Sequence, residues 1–351
     1  MIRAAVFDGP GRPFRFEELP RPVLDDGEAL MRITLCAVCG SDLHTFAGRR
    51  GGPTPCVLGH EPVGVIEELR GDVSDTDGNR LAVGDRVVWS VAVSCGVCFF
   101  CDRGLRQKCE GVRKYGHEPH APGSGPLGGL ASHCRLLPGT AIVKVPAGLP
   151  DMVAALAGCA VATADAGIED AGLNATVVVF GAGMLGLSAC ALAADASCTV
   201  IACDVSDSRL SLATRFGAAH TATPADVVEL AKSLAAGRGA DLALEASGSP
   251  AAVARSLDVL RVGGQASWVG TVSPTAPVPV DPEVVVRKCL SIRGFHNYRP
   301  RNLSRAVGFL AANHERFPFA ELVAKSFPLD AADEAFRYAE AEKPVRVAVV
   351  C

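Results

Sequence analysis

Residues Thr176–Gly186 read TVVVFGAGMLG, a β-branched apolar run that passes into Gly181-x-Gly183-x-x-Gly186 and then an Ala- and Leu-rich stretch. The run predicts a buried strand, and the stretch from Met184 predicts a helix starting at the last glycines. Each glycine has its own task. Gly181 permits the tight turn, Gly183 lets the backbone approach a pyrophosphate, and Gly186 lets the helix pack closely on the strand. Met184 and Leu185 lie at the helix N-terminus, where unpaired N–H groups and the helix dipole favour phosphate. The following apolar run, CTVIACD, ends in Asp204. A carboxylate there accepts from adenosine ribose hydroxyls and repels a 2′-phosphate, which favours NAD over NADP. Arg209, close by, is a candidate for holding a phosphate or flanking the adenine. The plainer reading of Asp204, a cap for the next helix, explains the acid but not the glycines.

From Asp151 onward the pattern repeats. TVVVFGAG, CTVIACD, DLALEASG, GQASWVG and LSIRGF are short apolar runs separated by Ala-rich stretches of helical length. Strands alternating with helices predict an α/β, doubly wound parallel sheet. The first ~150 residues differ, with Gly and Pro between β-branched runs such as EALMRITLCAV, VGVIEEL and DRVVWSVAV, so that region reads as β-rich with long loops. After about Asn297 come two helix-like stretches, LSRAVGFLAAN and FPLDAADEAFRYAEA, and a closing strand, VRVAVVC. TAPVPVDP is a candidate edge strand for pairing across a subunit boundary.

With 351 residues the chain has room for two domains, each with its own core. Its net charge of −4, with scattered lysines and arginines, argues against a nucleic-acid surface. No apolar stretch is long enough for a membrane span, and the first residues lack the features of a signal peptide, so a cytoplasmic location is expected. In a reducing compartment, 14 cysteines are thiols or metal ligands rather than disulfides. Four of them, Cys95, Cys98, Cys101 and Cys109, crowd into SCGVCFFCDRGLRQKC. That spacing suits one tetrahedral, structural zinc. An iron–sulfur cluster and a set of unrelated thiols are the competing readings, but the spacing departs from both ferredoxin patterns and chance clustering is improbable.

A catalytic zinc needs three protein ligands and one open position. Cys39 in CGSDLH, His60 in GHEPVG and Cys159 in LAGCAVATA supply that set. Together with the four-cysteine segment, GAGMLG and Asp204, these motifs resemble, over essentially the whole chain and in the same order, the zinc-containing medium-chain dehydrogenase/reductases. The resemblance implies a GroES-like β-rich catalytic domain (residues 1–153 and 297–351) and a Rossmann domain (154–296). It further implies roles for single residues. Glu61 matches the acid beside the histidine, Asp42 the carboxylate that orients the ring, and Ser41 and His44 the proton relay. Val269, Gly270, Gly294 and Phe295 match the contacts to the nicotinamide carboxamide.

The expected activity is hydride transfer between an alcohol or its carbonyl and NAD, with two zinc ions per chain, in a homodimer or homotetramer. Small-molecule substrates are the expected partners, without nucleic acid or membrane. A threonine- or polyol-type dehydrogenase is the runner-up, and a zinc-stabilised NAD-binding sensor is the non-enzyme alternative. A weaker resemblance, carried by GFHNYRPRN with His296 and Arg299, points to alcohol dehydrogenase-like proteins of phosphonate breakdown. In that case Arg299, Arg301 or Arg49 would bind the phosphonate. KYGHEPH places His117 and His120 as further residues near the substrate.

Overall fold

The computed structural model describes residues 1–121 and 123–351. The chain divides into two compact units, one formed by 1–159, 299–314 and 319–351, the other by 160–298 and 315–318.

In the first unit, Ala29–Ala37 is the organising strand. It pairs antiparallel with Glu61–Leu69 and, at its carboxyl end, with the last strand, Arg346–Val350. Val323–Pro328, Arg346–Val350, Ala29–Ala37, Glu61–Leu69, Arg86–Val93 and Arg113–Lys114 lie side by side in that order. A smaller sheet places Ile2–Phe7 between Arg15–Leu19 and Cys56–Val57. One core beneath these sheets gathers Phe7, Phe14, Val57, Leu58 and Phe336, and another gathers Met31, Ile33, Val87, Trp89 and Tyr115. The first core joins remote parts of the chain, since Phe14, Phe46 and Phe336 meet with ring centroids 5.0–5.7 Å apart. Burial of aromatic side chains in this way is worth several kcal/mol each, about 3–5 kcal/mol on truncation. It fastens the helix Ala332–Glu342 onto the helix Gly40–Phe46.

The second unit is a six-stranded, wholly parallel sheet. Its strand order is His220–Ala222, Thr199–Cys203, Thr176–Phe180, Ala240–Glu245, Leu260–Trp268, Ser291–Gly294. This is the order 3-2-1-4-5-6 of the doubly wound fold, which reverses beside the first strand and there opens a crevice at the carboxyl ends. Thr176–Phe180 is buried along its full length, the pattern of a central parallel strand.

Within the chain TAPVPVDP pairs with no described strand, and His220–Ala222 and Ser291–Gly294 are the two edges of the parallel sheet. One detail departs from the sequence reading. The helix expected over FPLDAADEAFRYAEA begins only at Ala332, with Leu329–Ala331 forming a tight 3₁₀ turn before it. Among the described residues no single helix is long and apolar enough to cross a membrane.

Candidate metal centres and dinucleotide site

Cys39 ends its extended segment as the cap of the helix Gly40–Phe46. Asp42, at the third helical position, turns back so that its Oδ2 accepts from the Cys39 N–H at 3.0 Å. The other oxygen of Asp42 lies 3.0 Å from His60 Nδ1. Asp42 is wholly buried and His60 nearly so. One carboxylate therefore fixes both the loop that presents Cys39 and the ring of His60. Gly59 precedes His60 at φ +91°, and a side chain there would meet Cys36 Sγ and the backbone of Gly129 and Leu130. This crowding explains why glycine stands before the histidine. Cys159 follows the turn Ala155–Gly158, which lies against the strands Glu61–Leu69 and Arg86–Val93.

The ligand atoms of Cys39, His60, Glu61 and Cys159 lie within 4.8 Å of one another. Ser41 Oγ is 3.3 Å from His60 Nε2. Donation from the Cys159 thiol is the main cause that holds Cys39 well down towards thiolate, with Arg346 and His60 adding to it; as donor, and by burial, Cys159 is pushed well up. Burial opposes charge on His60, but Asp42 outweighs it and raises the ring well above the usual histidine range. Burial pushes the Glu61 carboxyl up to about 7. Two soft thiols and an imidazole oriented by a carboxylate are a donor set suited to zinc.

The four cysteines of the other cluster also converge. Cys95–Cys101, Cys98–Cys109 and Cys109–Cys95 sulfur distances are 4.0, 3.9 and 3.5 Å. Thiolates at the corners of a zinc tetrahedron with ~2.3 Å bonds stand about 3.8 Å apart, so this cluster fits the ion. Gly96 and Gly104 take positive φ, +81° and +72°, which lets the short loop fold back on itself. Backbone N–H groups of Glu110 and Cys101 hold the Cys98 thiol down to about 6, whereas burial pushes Cys101 up to about 12.

In the parallel-sheet unit, Gly181 turns at φ +90° with Ser247 packed against it. Gly183 caps the helix Met184–Asp195, and a side chain added to it would meet nothing within 4 Å. Gly186 stands against the Gly181 carbonyl, where no Cβ fits. A turn, an open approach and a close helix contact thus occupy the three positions in that order. Asp204 Oδ2 accepts from Ala182 N–H at 2.7 Å and Oδ1 from Ser206 N–H at 3.0 Å, so the acid ties the glycine turn to the neighbouring strand. The helix Asp207–Arg215 is capped by Ser206, not Asp204, with Arg209 N–H facing the Ser206 hydroxyl. Val269 and Gly270 leave the sheet after Leu260–Trp268, both N–H groups donating to the Glu245 carbonyl at 2.9 Å. Gly294 and Phe295 end the adjacent strand, with Phe295 N–H on the Trp268 carbonyl.

Two families of domain match this chain. Residues 25–147 match the alcohol dehydrogenase GroES-like domain, and 185–312 the zinc-binding dehydrogenase domain. The chain is 32% identical to the 5-exo-hydroxycamphor dehydrogenase of Pseudomonas putida, over 93% of each protein. The chain belongs to the zinc-containing medium-chain dehydrogenase/reductase family. It is also 33% identical to the erythritol/L-threitol dehydrogenase of Mycolicibacterium smegmatis, over 93% of this chain and 91% of that one. The crystal structure of an alcohol dehydrogenase from Thermotoga maritima superposes with a TM-score of 0.91 at 29% identity, covering 99% of both.

Arg346, which the sequence reading did not single out, belongs to this centre, and His117, expected near the substrate, lies beside it. Arg346 is buried, with Nε 3.1 Å and Nη2 3.0 Å from the two oxygens of Glu61, and Nη2 is 3.7 Å from Cys39 Sγ. His117 lies with its ring 5.3 Å from that of His60, and burial, aided by the His60 charge, pushes it down to about 3. His120 goes elsewhere, its Nε2 2.9 Å from Glu17. Arg49 is held by Glu340 and contacts His44. Arg299 caps the helix Pro300–Asn313 that contains Arg301, and His296 follows the edge strand.

Proposed function

We propose that the chain is an NAD-dependent alcohol dehydrogenase in which Cys39, His60 and Cys159 hold a catalytic zinc and Cys95, Cys98, Cys101 and Cys109 a structural one. The carrying observation is the convergence of two thiols and a carboxylate-oriented histidine from three separate segments, beside a serine hydroxyl. A zinc held there supplies Lewis acidity towards a substrate oxygen, and the nicotinamide supplies the hydride acceptor. The chain's own part is to place and relay. Asp42 fixes the His60 tautomer by accepting from Nδ1, leaving Nε2 for the metal. Ser41 takes the substrate hydroxyl proton, and His44, exposed at the far end of the same helix, passes it to water. Arg346 pairs with Glu61, which opposes the rise that burial imposes on that carboxyl and offsets its charge when it is ionised. The glycine turn and the helix N-terminus behind it receive the pyrophosphate, and Asp204, with lone pairs remaining on both oxygens, receives the ribose.

The similarity to a tetritol dehydrogenase supports a second reading, in which the substrate is a polyol. A cytoplasmic homodimer or homotetramer completes the proposal. Zinc content and NAD reduction over a panel of alcohols and polyols, on wild type and Cys39→Ser, test it. About two zinc ions per chain are expected, falling by one in the variant with activity lost. One zinc, unchanged in the variant, would remove the catalytic centre from the proposal.

A further inference from the structure

His44 lies in the last turn of the helix Gly40–Phe46 with its ring exposed. Arg49 donates from Nε to His44 Nδ1 at 3.0 Å. The guanidinium is gripped on its other edge by Glu340, with Nη1 3.2 Å from Oε2 and Nη2 2.7 Å from Oε1. Glu340 in turn is aimed by its helix, Ala332–Glu342, which is seated on the His44 helix through Phe46 and Phe336, ring centroids 5.0 Å apart. Arg49, His44 and Lys343 are the charged or titratable groups acting on Glu340. Glu340, Phe46 and Ala47 also line an open surface pocket of about 590 Å³, so water reaches the pair.

Arginine has only donors. The nitrogen that faces it carries no proton, so a neutral His44 must bear its proton on Nε2. We propose that Arg49, clamped by Glu340, is a positioning residue that latches His44 in the Nε2–H tautomer. The inference rests on the relay role proposed above for its bearing on turnover, but not for the tautomer itself. A ring with Nε2 protonated and Nδ1 covered by a cation has no site for another proton. In alcohol oxidation His44 therefore becomes a base only when Arg49 leaves Nδ1. The incoming proton then binds Nδ1, the ring is briefly cationic, and one of its two protons departs to water. Arg49 itself neither gains nor loses a proton. The bidentate contact to Glu340 is the geometry in which guanidinium and carboxylate hold each other most firmly, and it keeps the latch closed at rest.

Nitrogen-15 spectra of histidine-labelled, zinc-loaded protein report the tautomer of His44 directly, with His44→Gln giving the assignment. Wild type is expected to show Nε2–H with an unprotonated Nδ1. Arg49→Met, and separately Glu340→Gln, should give a mixture of tautomers at unchanged zinc content and melting temperature. Proton release in a single turnover, followed with an indicator dye, should be about threefold faster in Arg49→Met, a small share of what general acid–base groups contribute. A wild-type signal for Nδ1–H, a cationic ring at neutral pH, or a spectrum unaltered by Arg49→Met overturns the latch. Proton release unaffected by His44→Gln would instead overturn the relay role and leave the tautomer result standing.

Discussion

Glu61 and Arg346 show how one pair of residues shapes the centre. Both are buried, and burial, with Cys39 adding to it, raises the Glu61 carboxyl to about 7 even with the guanidinium against it. Removing one partner of such a pair strands a charge, which typically costs about 3–5 kcal/mol, whereas replacing both costs far less. Arg346→Met is therefore expected to lower unfolding stability by about that amount in urea titrations, and adding Glu61→Gln should recover much of the loss. Equal losses in the single and double variants would show that the arginine stabilises by packing alone. Glu61 was legible from its place beside His60 in GHEPVG. Arg346 was not, because VRVAVVC is an ordinary strand sequence whose second residue meets Cys39 only through pairing with Ala29–Ala37.

The four-cysteine loop is an element whose chemistry is set locally. Backbone N–H donors lower Cys98 to about 6, while burial raises Cys101 to about 12. A zinc ligand must be a thiolate, so loading releases protons from the thiols still protonated at the working pH. Cys101, protonated throughout the neutral range, must always give one up; Cys98 must give one up only below about pH 6. The sign follows: zinc affinity rises with pH, and rises more steeply below pH 6 than above it. Competition with a zinc-binding dye between pH 5 and 8 should show both. An affinity that is flat in pH would mean that the thiols are already ionised without the metal. This element was readable from spacing, since its ligands are near neighbours in the chain.

At the scale of the whole molecule, the order of the parallel sheet places the glycine turn, Asp204 and the Val269–Gly270 turn at carboxyl ends of strands. Asp204→Ser should lower the ratio of NAD to NADP in kcat/KM by at least about tenfold, since a repulsive charge is lost. The same change removes acceptors from Ala182 and Ser206 N–H, so the KM for NAD should rise as well. Steady-state kinetics with both cofactors decide this; an unchanged ratio would leave Asp204 a purely structural tie. The sequence alone determined what depends on short separations: the strand–glycine–helix turn, the ends of the strands, the thiol spacing and the Asp42–Cys39 cap. In these cases backbone sterics and reach act within a few residues. Tertiary structure alone decided which remote groups share a charge environment. It brought Arg346 to Glu61 and Cys39, His117 to His60, and Glu340 to Arg49 and His44, because strand pairing and aromatic packing, not sequence distance, set where those side chains meet.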